Sequence, residues 1–73
     1  MDFDPTQTAA DIQVELRHLY VERAIAELYG DAFDADYMAD LLADIDAHRD
    51  ALVGAVVTEI ASLRADLTGQ LQG

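Results

Sequence analysis

Large apolar residues recur at helical spacing through the second half of the chain, beginning at Met38. The set comprises Met38, Leu42, Ile45, Leu52, Val56, Ile60, Leu63, Leu67 and Leu71. Small residues recur on the opposite side in steps of four and three, at Ala47, Ala51, Gly54, Thr58, Ala61, Ala65 and Thr68. A stripe of large residues opposite a stripe of small ones predicts a helix with neighbours on two sides.

Residues with capping chemistry predict where helices begin and end. Asp4 precedes Pro5, an arrangement typical of a helix N-terminus because proline fits the first helical position. Gly30 fits a left-handed C-cap, and Asp31 or Asp34 is the expected N-cap of a second helix.

The predicted fold is therefore all-α, and no stretch has the alternation of a strand. The chain is long enough for one domain over residues 1–73. We expect a first helix over about 5–29, a turn over 30–35 and a second helix over about 36–70, forming an antiparallel hairpin.

The first helix also has apolar residues on two sides. Ile12, Leu16, Leu19 and Ala26 line one side, and Val14, Val21, Ile25 and Leu28 line nearly the opposite one. Two such helices predict self-association into a four-helix bundle, although many Ala and Val positions could simply be exposed. The longer second helix also overhangs the first. The expected oligomer interface comprises Ala47, Gly54, Ala61, Leu63 and Leu67.

Charge narrows the classes of partner. The formal net charge is −11, with four arginines and no lysine, so direct binding to nucleic acid or to an anionic membrane surface is not expected. The sequence has no cysteine, no membrane-length apolar run and no secretory-type N-terminus, and we expect a cytoplasmic protein. A basic protein could dock on the acidic residues Asp36, Asp40, Asp44 and Asp50; alternatively they form a solvated face.

Glu15 and His18 form an E-x-x-H pair on the first helix, a spacing by which helical bundles can share a metal ion. Asp44 and His48 form a further pair one turn apart. The alternative is a polar stripe that faces water. The E-x-x-H motif in a helical hairpin is similar to that of encapsulated ferritin-like proteins, in which dimerisation forms the metal site. The similarity covers one tetrapeptide and lacks their second carboxylate motif, so it assigns no residue role here.

Arg49 interrupts the large apolar stripe between Ile45 and Leu52. A buried arginine requires a carboxylate partner and can fix helix register and partner choice. The alternative is a side chain whose aliphatic part packs on the core while its guanidinium stays in water.

These patterns predict a small acidic, non-enzymatic module for protein interaction or assembly, acting as a homodimer or higher oligomer. One alternative is a small acidic inhibitor, antitoxin-like or a phage-encoded DNA mimic, that occupies a basic nucleic-acid-binding site. The other is a ferritin-like metal-binding bundle. No Ser/His/Asp arrangement, phosphate loop or cysteine motif is present in the sequence, so neither catalysis nor a cofactor is expected.

Overall fold

A computed structural model describes residues 7–30 and 34–72, with side chains as far as Gln70. These residues form two helices, α1 (Ala9–Tyr29) and α2 (Ala35–Gln72), and contain no strand. Contacts between Glu22 and Tyr37 near the turn, and between Ala9 and Glu59 at the far end, make the pair an antiparallel hairpin. The predicted all-helical fold is confirmed, while assembly into a four-helix bundle stays a prediction.

The start of α1 is set by a reciprocal capping box. Thr8 has extended backbone angles, and its Oγ1 accepts a hydrogen bond of 3.2 Å from the Asp11 amide. Asp11 Oδ2 in turn accepts one of 3.2 Å from the Thr8 amide. Two amides of the first turn are thus satisfied locally. The helix begins at Ala9 rather than near residue 5, and the predicted Asp4 cap lies outside the described residues.

Gly30 ends α1 and Asp34 caps the start of α2, as the sequence predicts. Gly30 follows Tyr29 with φ 87 and ψ 0, a left-handed conformation that glycine adopts without steric cost. Asp34 Oδ1 accepts a hydrogen bond of 3.1 Å from the Tyr37 amide and so caps the first turn of α2. The alternative cap, Asp31, lies outside the described residues.

The core lies where Leu16 of α1 meets Leu41 and Ile45 of α2. Partly buried Leu19, Met38 and Leu52 pack against this cluster. The predicted apolar stripe was wrong at one position here, because Leu41 is 5% exposed whereas Leu42 is 40% exposed. The face of α2 toward α1 follows steps of three and four, and its buried members are Leu41, Ile45 and His48.

The hairpin is long and its helices are unequal. Its radius of gyration is 17.0 Å, against roughly 11 Å for a compact domain of this length. The accessible surface is 5581 Å², against roughly 4,450 Å² for a compact monomer of this mass. The last third of α2, beyond Glu59, extends past the start of α1. None of the described helices combines the length and apolar character needed to cross a membrane.

Candidate interaction surface and interhelical polar cluster

One exposed apolar stripe follows α2 toward its C-terminus. Its members are Val53, Val56, Ile60, Leu63 and Leu67, which are 38% to 64% exposed. They are spaced by alternating steps of three and four, so they lie along one side of the helix. We call this set the α2 stripe. Contiguous exposed apolar surface is a feature typical of interaction sites.

The α2 stripe is continuous with the hairpin core at its upstream end. Leu52, which packs against the core, lies one turn before Val56. Leu52 also lines a shallow groove between the helices together with Gln13, Arg17 and Tyr20 of α1. Downstream, Ile60 and the residues after it have no α1 beside them, because α1 starts opposite Glu59.

A second exposed apolar surface lies on α1. Val14, Val21, Ile25 and Leu28 are all exposed, on the side of the helix away from its buried residues. Val21 and Ile25 line a shallow groove with His18 and Tyr37. The two-sided character predicted for α1 is therefore present in the single chain.

The predicted stripe of small residues on α2 is exposed from Gly54 onward in this chain. A Cβ added at Gly54 would meet no atom within 4 Å outside its own helix, and Ala61 is exposed. Thr58 Oγ1 donates a hydrogen bond of 2.9 Å to the Gly54 carbonyl oxygen, as a solvent-side threonine in a helix can. Ala47 is half-buried. A close-packed neighbour on this side stays a prediction.

A polar cluster of Glu15, Asp44 and His48 joins the two helices beside the core. The His48 side chain is buried, and the residue is 6% exposed. Its Nε2 lies 3.1 Å from Oε2 of Glu15, across the hairpin. Its Nδ1 lies 2.8 Å from the Asp44 carbonyl oxygen and 3.3 Å from Asp44 Oδ1.

Both ring nitrogens of His48 thus face oxygen acceptors. A neutral imidazole carries one N–H, whereas the imidazolium carries one on each nitrogen and can donate to Glu15 and Asp44 at once. Asp44 Oδ1 is buried without a hydrogen bond of its own, which leaves it as the charge partner on the Nδ1 side. Gln7 Nε2 donates to Glu15 Oε1 at 2.7 Å and so orients that carboxylate. The arrangement fixes the position of α1 along α2.

The predicted metal pair is divided between different surroundings. Glu15 contacts His48 rather than His18, and His18 is exposed on the side of α1 with the shallow groove. Within residues 7–30 and 34–72, no three potential ligand side chains come together in a geometry that could hold a metal ion. Glu15 and His18 have the E-x-x-H spacing in sequence, but the histidine that contacts Glu15 is His48 from the other helix.

Arg49 is exposed in the hairpin formed by a single chain, and a core role for it within an assembly stays a prediction. The buried polar side chain between Ile45 and Leu52 is His48, one residue earlier. Both positions fall between the same two apolar residues, and one helical step of about 100° separates a core position from a solvent position. The sequence feature that corresponds to this buried residue is the pair Asp44 and His48, one turn apart on α2 and opposite the Glu15 carboxylate on α1.

The acidic residues predicted as a docking face divide in the same way. Asp36, Asp40 and Asp50 are exposed, whereas Asp44 is half-buried in the polar cluster. Asp40 lines a groove with Glu22 and Tyr37, and the Tyr37 hydroxyl donates to Glu22 Oε1 at 2.7 Å. Three of the four residues predicted to form the docking face therefore expose their carboxylates.

The chain matches no protein-family model, and comparisons with characterised proteins and with solved structures return no match. Function is therefore inferred from the geometry of this chain alone.

Proposed function

We propose that this protein is a small, non-enzymatic assembly module whose copies associate through the α2 stripe. The observation that carries the proposal is that Ile60, Leu63 and Leu67 continue the apolar side of α2 beyond the end of α1, where no other part of the described chain covers them. Burying apolar surface against a second copy is the ordinary source of stability in such helical assemblies.

The size of the core supports self-association. The buried apolar residues described are few: Ala9, Ile12, Leu16, Ala26, Leu41 and Ile45. A core of this size in a chain without disulfides contributes little net stability, and oligomerisation is a common remedy in small scaffolds. The surface in excess of that of a compact monomer, about 1,100 Å², is comparable to what each partner contributes to an obligate dimer.

Sedimentation equilibrium on the full chain tests the proposal. The wild-type protein should sediment as a dimer or higher oligomer at micromolar concentration, against 8.0 kDa for one chain. The double variant Ile60→Gln, Leu63→Gln should sediment as a monomer, because glutamine keeps helix propensity while removing apolar surface from the stripe.

The matched control places the same two changes on the other side of the helix. Ala61 and Ala65 are exposed and lie nearly opposite Leu63, so Ala61→Gln, Ala65→Gln should leave the oligomeric state unchanged. A wild-type protein that remains monomeric overturns the proposal. Dissociation by the control pair alone would move the interface to the small residues of α2.

A further inference from the structure

We propose that two copies of α2 pair in parallel and in register along the α2 stripe, with Glu59 of each copy facing Arg64 of the other. This inference rests on the self-association proposed above and specifies its geometry. Two parallel overhanging segments would then carry their hairpins at the same end of the assembly.

The α2 stripe has the spacing of a coiled-coil seam. Alternating steps of three and four assign Val53 and Ile60 to one core position of a heptad, and Val56 and Leu63 to the other. In parallel assemblies, a β-branched residue at the first position with leucine at the second favours two strands, and Ile60 with Leu63 follows this pattern. Leu67 continues the first set and Gln70 the second.

The charges beside the seam decide the relative direction of the helices. Glu59 immediately precedes Ile60, and Arg64 immediately follows Leu63, so the two flank the seam on opposite sides. In a parallel pair, such positions five residues apart meet across the interface. Two-fold symmetry repeats the contact, so two pairs of opposite charge form.

Both side chains are available for that contact. Glu59 uses Oε1 to accept a 3.2 Å hydrogen bond from the Ala9 amide, which fixes the carboxylate at the edge of α1 and leaves Oε2 for a second partner. Arg64 is exposed and, within the described part of the chain, forms no ion pair. No lysine exists anywhere in the sequence to take its place.

An antiparallel pair would bring unfavourable charges together. Asp66 occupies the same heptad position as Glu59, seven residues later. Antiparallel helices place like positions of the two copies opposite each other. When Val53 lies opposite Leu63 or Gln70 of the other copy, Glu59 faces its own copy or Asp66. Like charges across an interface disfavour that partner arrangement.

Disulfide trapping distinguishes the two directions, and the natural sequence contains no cysteine to confuse it. Gln70→Cys places a thiol at the end of the seam. In a parallel, in-register pair the two thiols meet, and mild oxidation should give a disulfide-linked dimer. Ala65→Cys lies on the opposite side of the helix and should give little dimer under the same conditions.

A mixture of Val53→Cys and Gln70→Cys proteins supplies the opposite outcome. Parallel pairing yields only disulfides between identical positions, identified by mass spectrometry of peptides. Disulfides that join Val53→Cys to Gln70→Cys show antiparallel pairing and overturn the inference. If the wild-type protein is dimeric but the Gln70→Cys variant forms no disulfide-linked dimer, the inference is overturned while self-association stands. A monomeric wild type overturns both.

Charge reversal supplies an independent readout of the Glu59–Arg64 contact. Arg64→Glu should weaken association by about tenfold, as two exposed attractive pairs become repulsive ones. Adding Glu59→Arg to the same chain should recover most of that loss in the association constant. Failure of the second change to recover association contradicts the assigned pairing.

Discussion

Nε2 of His48 lies 3.1 Å from Oε2 of Glu15, and this contact joins a buried ring on α2 to a half-exposed carboxylate on α1. It is an ion pair when His48 carries two protons, and it sits beside the cluster of Leu16, Leu41 and Ile45. A buried polar contact between helices restricts the registers in which their apolar residues can also pack.

Removing the His48 ring should destabilise the hairpin. His48→Ala creates a cavity and leaves Asp44 Oδ1 buried without its charge partner, for an expected loss of about 2–4 kcal/mol in the free energy of unfolding. Urea denaturation at fixed protein concentration measures it. The matched control is His18→Ala, which alters an exposed side chain and should change stability by less than about 0.5 kcal/mol. Equal effects of the two changes on the free energy of unfolding would show that the His48 ring does not stabilise the core.

Gly54 should be replaceable with a gain in stability. It lies in the interior of α2, and a Cβ there meets no atom within 4 Å. Gly54→Ala should therefore raise the free energy of unfolding by about 0.5–1 kcal/mol, because alanine has less backbone freedom to lose. Gly69→Ala, an equally open position near the helix end, should gain less because that end frays.

The larger substitution at the same position tests the interface predicted along the small residues. Gly54→Leu should be neutral or stabilising if that side faces water, as it does in the single chain. A loss of about 1–3 kcal/mol, measured by thermal melts, would instead show a helix packed closely there.

Arg49 lies at the upstream end of the α2 stripe, four residues before Val53. In a parallel pair Arg49 would face Arg49 of the other copy, and repulsion between the two charges would end the apolar contact there. Arg49→Leu should extend the stripe and tighten self-association, by roughly tenfold in the association constant. Arg49→Gln, which removes charge without adding an apolar side chain, is the control and should have a smaller effect. Sedimentation equilibrium measures both, and unchanged association with Arg49→Leu would place this residue outside the interface.

Repulsion among acids should make the stability of this protein depend on salt. Asp40 lies one turn from Asp36 and one turn from Asp44, and like charges at this spacing destabilise a helix by about 0.2–0.5 kcal/mol per pair. Asp40→Asn should therefore raise the melting temperature at low ionic strength, and the difference should fade near 0.5 M NaCl, where screening is strong.

Asp66→Asn is the matched control for that measurement. Residues three and four positions away from Asp66 carry no charge, so neutralising it relieves no repulsion along the helix. Its melting temperature should remain close to that of the wild type at every salt concentration. A salt response equal to that of Asp40→Asn would show that overall net charge, rather than local spacing, governs stability.

The number and order of the helices could be predicted because their boundaries depend on local chemistry. Gly30 and Asp34 end one helix and start the next through backbone conformation and capping, which neighbouring residues determine. The start of α1 was harder to predict, since Asp4–Pro5 and Thr8–Asp11 are both reasonable caps in sequence. Only the latter lies among the described residues.

The face of α2 that meets α1 could not be predicted with the same accuracy. Apolar residues cover more than one side of the helix, so periodicity alone does not show which set lies in the hairpin and which remains outside. Leu41 and His48 are buried, and each lies one residue before a member of the predicted stripe region, Leu42 and Arg49 respectively. The polar cluster depends on three residues from two helices, and their meeting is set by hairpin register rather than by any local pattern.

Because α2 is longer than α1, the helical order of its C-terminal part depends on contacts outside the hairpin. An isolated helix of this length is marginal in water, because its hydrogen bonds barely offset the entropy of ordering the backbone. If copies associate along it, its folding equilibrium is linked by mass action to the total protein concentration. Amide hydrogens after Glu59 should then exchange more slowly as the protein is concentrated, while those around Ile45 stay nearly constant. The same chain would thus combine a hairpin of fixed structure with a segment whose order reports how much of the protein is present.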